Sequence, residues 1–171
     1  YQNAERMEYA GLRERHLQVV ATVNNLLSHF PGDMGRVVQG TVDALLDIGG
    51  YYRILICLVS PTGDRIQAVA GRCIDPRFDF NYPTDLPLNR TAPRCDLDIQ
   101  QWVAITGDAI AVDNASSTKQ ISPRTNSVHA VAIEMKGIAV VPMKVIRTAG
   151  QSEEILGTIH FERKDKLRPT L

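Results

Sequence analysis

Two apolar segments near the C-terminal end constrain this chain more than any other feature. Ile138 to Ile146 follows Gly137, where a helical pattern ends, and Ile155 to Phe161 follows a polar loop. The second segment turns charged at Glu162 and Arg163. Apolar runs of this length, separated by a polar loop, are typical of two neighbouring antiparallel strands at the centre of a sheet. Because a two-stranded hairpin is marginal in water, earlier segments must supply further strands and cover both faces.

The first half of the chain supplies further elements of the same domain. Residues 4–30 contain no proline and carry apolar residues at helical spacing. Asp33 is placed to cap a second helix, which ends at Gly49. Tyr51 to Val59 and Arg65 to Ile74 are then predicted to be two strands joined by a Ser-Pro-Thr-Gly turn.

The second half alternates irregular and regular segments. Residues 75–93 contain four prolines, which cannot donate ladder hydrogen bonds, so we expect no regular structure there. Asp96 is expected to cap a short helix over residues 97–105, and residues 109–112 read as a short edge strand. Residues 113–123 are polar and loop-like, and they lead into the helix that ends at Gly137.

These elements predict an α+β fold built on a central antiparallel sheet of five to six strands. The two N-terminal helices and the helix before Gly137 are expected on one face, with the irregular segments and short helices on the other. A concave, mostly apolar ligand pocket belongs between the sheet and that irregular side, roofed by residues 75–95 and 113–125. We expect an N-terminal helix over residues 1–30, the main domain over 31–166 and a tail or linker over 167–171.

Charge balance and apolar run lengths exclude several classes of protein. Nineteen basic residues balance nineteen acidic ones, so no electrostatic footprint for nucleic acid or an anionic membrane is present. No apolar run approaches the roughly 20 residues that span a bilayer. Three cysteines without a CxxC pair fit neither a disulfide scaffold nor a zinc site, which favours a reducing, cytoplasmic compartment. Because Tyr1 replaces an initiator methionine and no signal peptide is visible, we expect a piece of a longer protein.

The N-terminal helix carries two apolar stripes. The first repeats at the three-four spacing of a coiled-coil seam, and the second widens the apolar face. The helix can therefore pack on its own domain and still offer a surface, so we expect a homodimer through it. A helix wholly used to cover the sheet is the alternative. The first stripe contains Tyr9, Leu12, His16, Val19, Val23, Leu26 and Phe30, and the second contains Leu17, Val20, Ala21 and Leu27.

The two C-terminal strands also carry a family resemblance. Gly-Ile-Ala-Val-Val-Pro-Met-Lys-Val from Gly137, a loop, and Ile-Leu-Gly-Thr-Ile-His-Phe-Glu-Arg from Ile155 resemble the closing strands of a GAF domain. GAF domains also begin with two helices followed by a hairpin, as this chain is predicted to do. Together with the stretch from Val103 to Asp113, this order extends the resemblance over residues 17–165. It implies a non-enzymatic, small-molecule sensing module of signalling proteins, which acts on an output domain in cis such as a histidine kinase or a nucleotide cyclase. A GAF fold that has lost its ligand and serves as a dimerisation scaffold stays open.

Several residues near the implied pocket are candidates for ligand contacts. Asp98 and Trp102 share one helix face, so Trp102 is placed to stack on a planar ligand while Asp98 accepts its hydrogen bonds. Arg94 and Arg124 border the implied pocket and suit an anionic group. Cys95 follows an arginine and precedes a helix start, two features that make a thiol more reactive. Because some GAF relatives reduce free methionine sulfoxide with pocket cysteines, a thiol enzyme is the alternative to a sensor.

The remaining candidates come from a similarity to bilin-binding GAF domains. Tyr82 to Pro87, which contains Asp85, is similar to their Asp-Ile-Pro motif, and His129 holds the position of their pocket histidine. Val128 replaces the cysteine that many of them carry there, so covalent attachment at that site is excluded. The ligand stays unassigned, with haem or bilin possible but not favoured. No metal site is expected, because no two histidines share a helix face at the spacing that ligands need.

Overall fold

The computed structural model describes residues 2–75, 85–93, 96–112, 137–145 and 153–163. The predicted helix before Gly137, residues 113–123 and the tail 167–171 lie outside these ranges. The elements within them are α1 (Gln2–His29), α2 (Met34–Asp47), β1 (Arg53–Val59), β2 (Arg65–Cys73), β3 (Asp85–Pro87), α3 (Ile99–Thr106), β4 (Ile110–Val112), β5 (Gly137–Val145) and β6 (Glu154–Arg163).

The strands form one antiparallel sheet in the order β3-β2-β1-β6-β5-β4. The predicted antiparallel sheet of five to six strands is therefore confirmed. The two apolar segments near the C-terminal end pair as β5 and β6, and β6 lies beside β1 as the middle pair of the sheet. The short strand predicted before residue 113 is β4, and it lies at an edge as expected.

The proline-rich segment contains a strand, so the prediction that it lacks regular structure was wrong at that point. Asp85 to Pro87 forms β3, which pairs with the beginning of β2. Proline is tolerated there because β3 is an edge strand, where one side of the backbone needs no ladder partner. The next residue, Leu88, donates its backbone N–H to the carbonyl oxygen of Asp64 and so closes this edge.

The third helix is capped by Asp98 rather than by the predicted Asp96. The Asp98 side chain accepts from the backbone N–H of Gln100, and the side chain of Gln101 accepts from the backbone N–H of Asp98. This reciprocal capping box satisfies two N–H groups that would otherwise lack partners at the helix start. The predicted stop at Gly107 is confirmed, since Gly107 adopts the left-handed conformation with φ 74°.

The two faces of the sheet are covered by different helices. Ile54 and Ile56 of β1 pack with Val42 and Leu46 of α2, on the side that we call the outer face. The alternate residues of β1 face the opposite side, which we call the inner face, as the two-residue period of a strand requires. The inner-face residues form two clusters with α3, one of Leu55, Cys57, Ile66, Leu88 and Ala104 and one of Ile99, Val103, Ile138 and Val140.

Helix α1 packs against α2 through part of its first predicted stripe. Val19 is buried. Leu26 lies so close to α2 that a Cβ added to Gly40 would lie 2.6 Å from Leu26 Cδ1. The second stripe faces away, and its Leu17 and Val20 are 61% and 56% exposed. Part of the first stripe is therefore used within the chain, whereas Leu17 and Val20 of the second stripe stay exposed. No helix in the described ranges is long and apolar enough to cross a membrane.

Candidate functional site

Strand β6 places three polar side chains on the inner face. Thr158, His160 and Glu162 alternate with Ile159 and Phe161, which pack on the outer face. All three polar side chains are at most 2% exposed. The inner face therefore holds polar groups inside the domain, where solvent cannot satisfy them.

These side chains belong to one chain of contacts that runs from α3 to the first residue of β1. The Thr158 hydroxyl donates to Gln100 Oε1 at 2.7 Å, and Gln100 Nε2 lies 3.3 Å from His160 Nδ1. His160 Nε2 lies 3.0 Å from Glu162 Oε1, and Glu162 Oε2 lies 3.6 Å from Arg53 Nη1. We call these five residues the polar chain: Thr158, Gln100, His160, Glu162 and Arg53.

Burial of the polar chain opposes folding unless its groups compensate one another. Moving a carboxylate and a guanidinium out of water costs several kcal/mol per ion, and their attraction offsets this only with good geometry and further hydrogen bonds. On the outer face, Arg72 Nη1 and Asp43 Oδ1 also form an ion pair, 2.7 Å apart. Both side chains are half exposed, so this pair does not carry the cost of removing its charges from water. Retention of a buried charged pair on the inner face alone marks that face as the candidate ligand site.

Helix α3 is held over the inner face at its first turn. Its start is fixed by the Asp98 capping box, and Gln101 Nε2 donates to the carbonyl oxygen of Pro87 at 2.6 Å. The second of these bonds ties α3 to the end of β3. Gln100, the α3 member of the polar chain, is thus positioned by neighbours on either side of it.

The structure brings two predicted site residues, Asp98 and Trp102, together on α3. The backbone N–H of Trp102 donates to the carbonyl oxygen of Asp98 at 2.9 Å, as expected for residues one turn apart. The Asp98 carboxylate serves the helix cap, and the partly buried Trp102 packs against Ile99, Val103, Ile138 and Val140. Direct contact of either residue with a ligand stays a prediction.

Of the other predicted site residues, the structure describes Asp85. Asp85 lies exposed on β3, and its carboxylate accepts from Arg65 Nε at 2.6 Å. This hydrogen bond from the guanidinium lowers the pKa of the Asp85 carboxyl below its usual value. Arg94, Cys95, Arg124 and His129 lie outside the described residues.

The two cysteines that the structure describes, Cys57 and Cys73, are both buried. Cys57 is fully buried on β1 beside Thr158, and burial together with the negative charge of Asp98 raises its thiol pKa to about 12. A thiol with such a pKa holds almost no thiolate at neutral pH and is a poor nucleophile. Cys73, the last residue of β2, is also buried and packs with Tyr52.

Sequence reasoning missed all five members of the polar chain. A signal for three of them is present, because Thr158, His160 and Glu162 recur every second residue in a strand. That alternation ordinarily indicates a face exposed to water, so it predicts the strand but not the burial of its polar side. Gln100 on α3 contacts Thr158 and His160, and the strand pattern by itself does not predict this contact.

Comparison with known proteins adds a fold assignment. No protein-family model matches the chain, and no curated protein is similar to it in sequence. The GAF domain of A. aeolicus NLH2 in an inactive state matches this chain with a TM-score of 0.60 and 15% identity. The match covers 91% of this chain and 83% of the NLH2 domain. Residues 122 to 287 of a methyl-accepting chemotaxis protein give a TM-score of 0.59 and 15% identity, covering 90% of this chain and 85% of that one.

A third solved structure of the same fold is an enzyme. Free methionine-R-sulfoxide reductase from Neisseria meningitidis, in complex with its substrate, has a TM-score of 0.56 and 12% identity. The match covers 86% of this chain and 74% of the reductase. Likenesses at such low identity establish the fold without the activity. The sheet order, the helices on its two faces and these neighbours together identify the chain as a domain with the GAF fold.

Proposed function

We propose that this chain is a non-enzymatic GAF domain that senses a small molecule on the inner face of its sheet. The observation that supports the proposal is the buried polar chain, which places polar groups inside the domain, whereas the ion pair between Arg72 and Asp43 on the outer face is half exposed. Ligand sites are typically apolar with a small number of placed polar groups, and the two apolar clusters around α3 fit that description.

The proposed module belongs to a larger cytoplasmic signal-transduction protein. Binding of the ligand favours one arrangement of α3 and the inner face, and the terminal elements pass the change to an output domain in cis. A histidine kinase or a nucleotide cyclase is the kind of output that this arrangement suits. Such coupling requires that the ligand bind the two arrangements with different affinity.

The proposed signalling unit is a homodimer that pairs through α1. The exposed residues of α1 repeat at the three-four spacing of a coiled-coil seam, and a shallow groove bordered by Ala10, Arg13, Glu14 and Leu17 lies at one end of this surface. Burial of one large apolar side chain contributes about 1.5–3 kcal/mol, so a few such residues from each copy are enough for association. The repeating exposed residues are Ala10, Arg13, Leu17, Val20, Asn24 and Leu27.

Native mass spectrometry of the purified chain tests the sensing function. We expect a small molecule to be released on denaturation, and we expect Thr158→Val to weaken its rebinding at least tenfold. Thr41→Val is the matched control, because Thr41 lies on α2 and donates to its own helix at Val37. A folded chain that releases nothing and binds no member of a metabolite library by thermal shift would overturn the proposal.

The similarity to a methionine sulfoxide reductase favours one second candidate, a thiol enzyme. The buried Cys57, with its raised pKa, is unsuited to the chemistry, so this candidate relies on Cys95. Turnover of free methionine sulfoxide with a thiol reductant that is lost in Cys95→Ser and kept in Cys57→Ser would establish the enzyme. Absence of turnover in the parent chain removes it.

A further inference from the structure

Six exposed residues of α1 fall on the first and fourth positions of a seven-residue repeat, and we call them the α1 seam. In a two-stranded coiled coil these two positions face the partner helix, and each side chain there inserts as a knob into a hole between four residues of that helix. The repeat therefore determines, for each orientation of a partner, which residues meet. The first positions of the α1 seam are Ala10, Leu17 and Asn24, and the fourth positions are Arg13, Val20 and Leu27.

The groove near the N-terminal end of the α1 seam has the layout of one such hole. It is lined by Ala10, Arg13, Glu14 and Leu17, which are spaced i, i+3, i+4 and i+7 on the helix. When two copies lie parallel and in register, the knob that reaches a hole at this level is a fourth-position side chain, namely Arg13 of the second copy. The guanidinium would then enter a hole that has the carboxylate of Glu14 in its wall, so opposite charges meet.

We propose that α1 pairs with α1 of a second copy of this chain in parallel and in register, with Arg13 of each copy bound to Glu14 of the other. The proposal rests on the homodimer proposed above and adds its orientation and the residues that specify it. In this register Asn24 also meets Asn24 of the second copy. An amide has donors and an acceptor, so the two side chains can satisfy each other, and a single Asn at a first position specifies the register of a coiled coil.

An antiparallel pairing satisfies these groups less well. With Leu17 and Val20 at its centre, it brings Asn24 of the second copy to the groove in place of Arg13. The residues that it places beside Glu14 are then Ala21 and Asn24, neither of which carries a positive charge. Because complementary charges across an interface fix register and orientation, the charges of the groove favour the parallel pair.

The parallel pair is compatible with the packing of α1 on its own domain. Val19 is buried and Leu26 contacts α2, whereas Leu17 and Val20 of the α1 seam are 61% and 56% exposed. The two-fold axis of a parallel pair runs along the helices, so equivalent parts of the two copies lie at the same level. Both β6 strands therefore end at one level, which suits two output domains that work side by side.

Charge reversal tests the contact between Arg13 and Glu14. Arg13→Glu and Glu14→Arg each bring like charges together twice in a dimer, so we expect each variant alone to raise the dissociation constant of the dimer about tenfold in analytical ultracentrifugation. An equimolar mixture of the two variants should restore dimers, because every contact in the mixed pair joins opposite charges. Unchanged association of both single variants, or a mixture that associates no better than they do, would overturn the proposed contact.

Arg15→Glu is the matched control for these variants. Arg15 is exposed, and a Cβ added to Gly50 would lie 3.4 Å from its Nη1 atom, so Arg15 lies beside its own domain and not on the α1 seam. The same change of charge at this position should leave the dissociation constant of the dimer unchanged. An equal effect of Arg15→Glu and Arg13→Glu would show that net charge, and not the contact with Glu14, controls association.

Disulfide crosslinking tests the orientation separately. Asn24→Cys should give a covalent dimer with glutathione disulfide as oxidant, because parallel pairing sets the two substituted positions opposite each other. In the antiparallel pair these positions lie about 16 Å apart along the helix, too far for a disulfide. The parent chain and Gln18→Cys, at an exposed position outside the α1 seam, give the background. A dimeric chain that does not crosslink through Asn24→Cys would overturn the parallel register alone, whereas a parent chain that stays monomeric would overturn the homodimer as well.

Discussion

Arg53 and Glu162 stand opposite each other across the middle pair of strands, with Nη1 and Oε2 3.6 Å apart and both side chains at most 3% exposed. Glu162→Gln keeps the shape and removes the negative charge, which leaves the guanidinium buried without that anion beside it. Breaking one partner of a buried pair typically costs about 3–5 kcal/mol. We expect a loss of this size in the free energy of unfolding, measured by urea denaturation.

The matched control for Glu162→Gln is Asp85→Asn. Asp85 forms a shorter contact, 2.6 Å from Arg65 Nε, but both side chains are more than 40% exposed. Solvent screens such a pair, so its loss should hardly change the free energy of unfolding. If the two substitutions lowered the free energy of unfolding equally, burial would not be the reason that the pair of Arg53 and Glu162 stabilises the fold.

The close contact between β6 and β1 gives a second prediction. A Cβ added at Gly157 would overlap the backbone carbonyl oxygen of Cys57 and lie 2.8 Å from Met143 Cε. A backbone carbonyl in a paired strand cannot move aside, so Gly157→Ala should destabilise the domain by about 1–3 kcal/mol or more, as overpacking does. Gly11→Ala is the control, because nothing lies within 4 Å of that helical position. It should stabilise α1 by about 0.5–1 kcal/mol, and a similar loss in both variants in thermal unfolding would contradict the prediction.

Most of the fold was accessible from the sequence because local chemistry decided it. The cap at Asp33, the stop at Gly107 and the apolar strands follow from short-range patterns that the structure keeps. The two exceptions have different causes. The prolines around β3 are tolerated only because that strand lies at an edge, which is a tertiary cause. Asp98 replaces Asp96 as the cap because Gln101 completes the capping box, a local pattern that sequence reasoning overlooked.

The candidate site was less accessible, because its residues are distant in sequence. Gln100 and His160 are separated by 60 positions, and no local pattern pairs an amide on a short helix with a ring on a strand. The predicted candidates were instead chosen within loops and around one helix. Of these, Asp98 and Trp102 adjoin the inner face, whereas the Asp85 carboxylate is bound by Arg65.

Cys57 provides a prediction about reactivity. Burial raises its thiol pKa to about 12, against a reference of 9.0, so the folded chain holds about a thousandfold less thiolate at pH 8 than the unfolded chain. Iodoacetamide should therefore label Cys57 at least a thousandfold more slowly in buffer than in denaturant, as measured by peptide mass spectrometry. Rapid labelling of the folded chain would contradict the raised pKa.

The same shift has a consequence for stability in alkali. Because the pKa of Cys57 is higher in the folded state, its contribution to stability is fully present below about pH 9 and is lost as the pH rises toward about 12. Over that window the free energy of unfolding should fall less steeply with pH in Cys57→Ala than in the parent chain. Parallel slopes in urea titrations from pH 9 to pH 11 would contradict this expectation.

The two stripes of α1 can be separated by paired charge substitutions. Leu17→Glu/Val20→Glu alters only exposed positions, so we expect it to abolish dimers in light scattering while leaving the melting temperature nearly unchanged. Val19→Glu/Leu26→Glu places charges where α1 packs on its own domain, so it should destabilise the fold itself. An unchanged mass in the first variant, at concentrations where the parent is dimeric, would place the dimer contact elsewhere than on α1. Exposure thus decides which stripe is free for a partner, a distinction that helical spacing alone does not make.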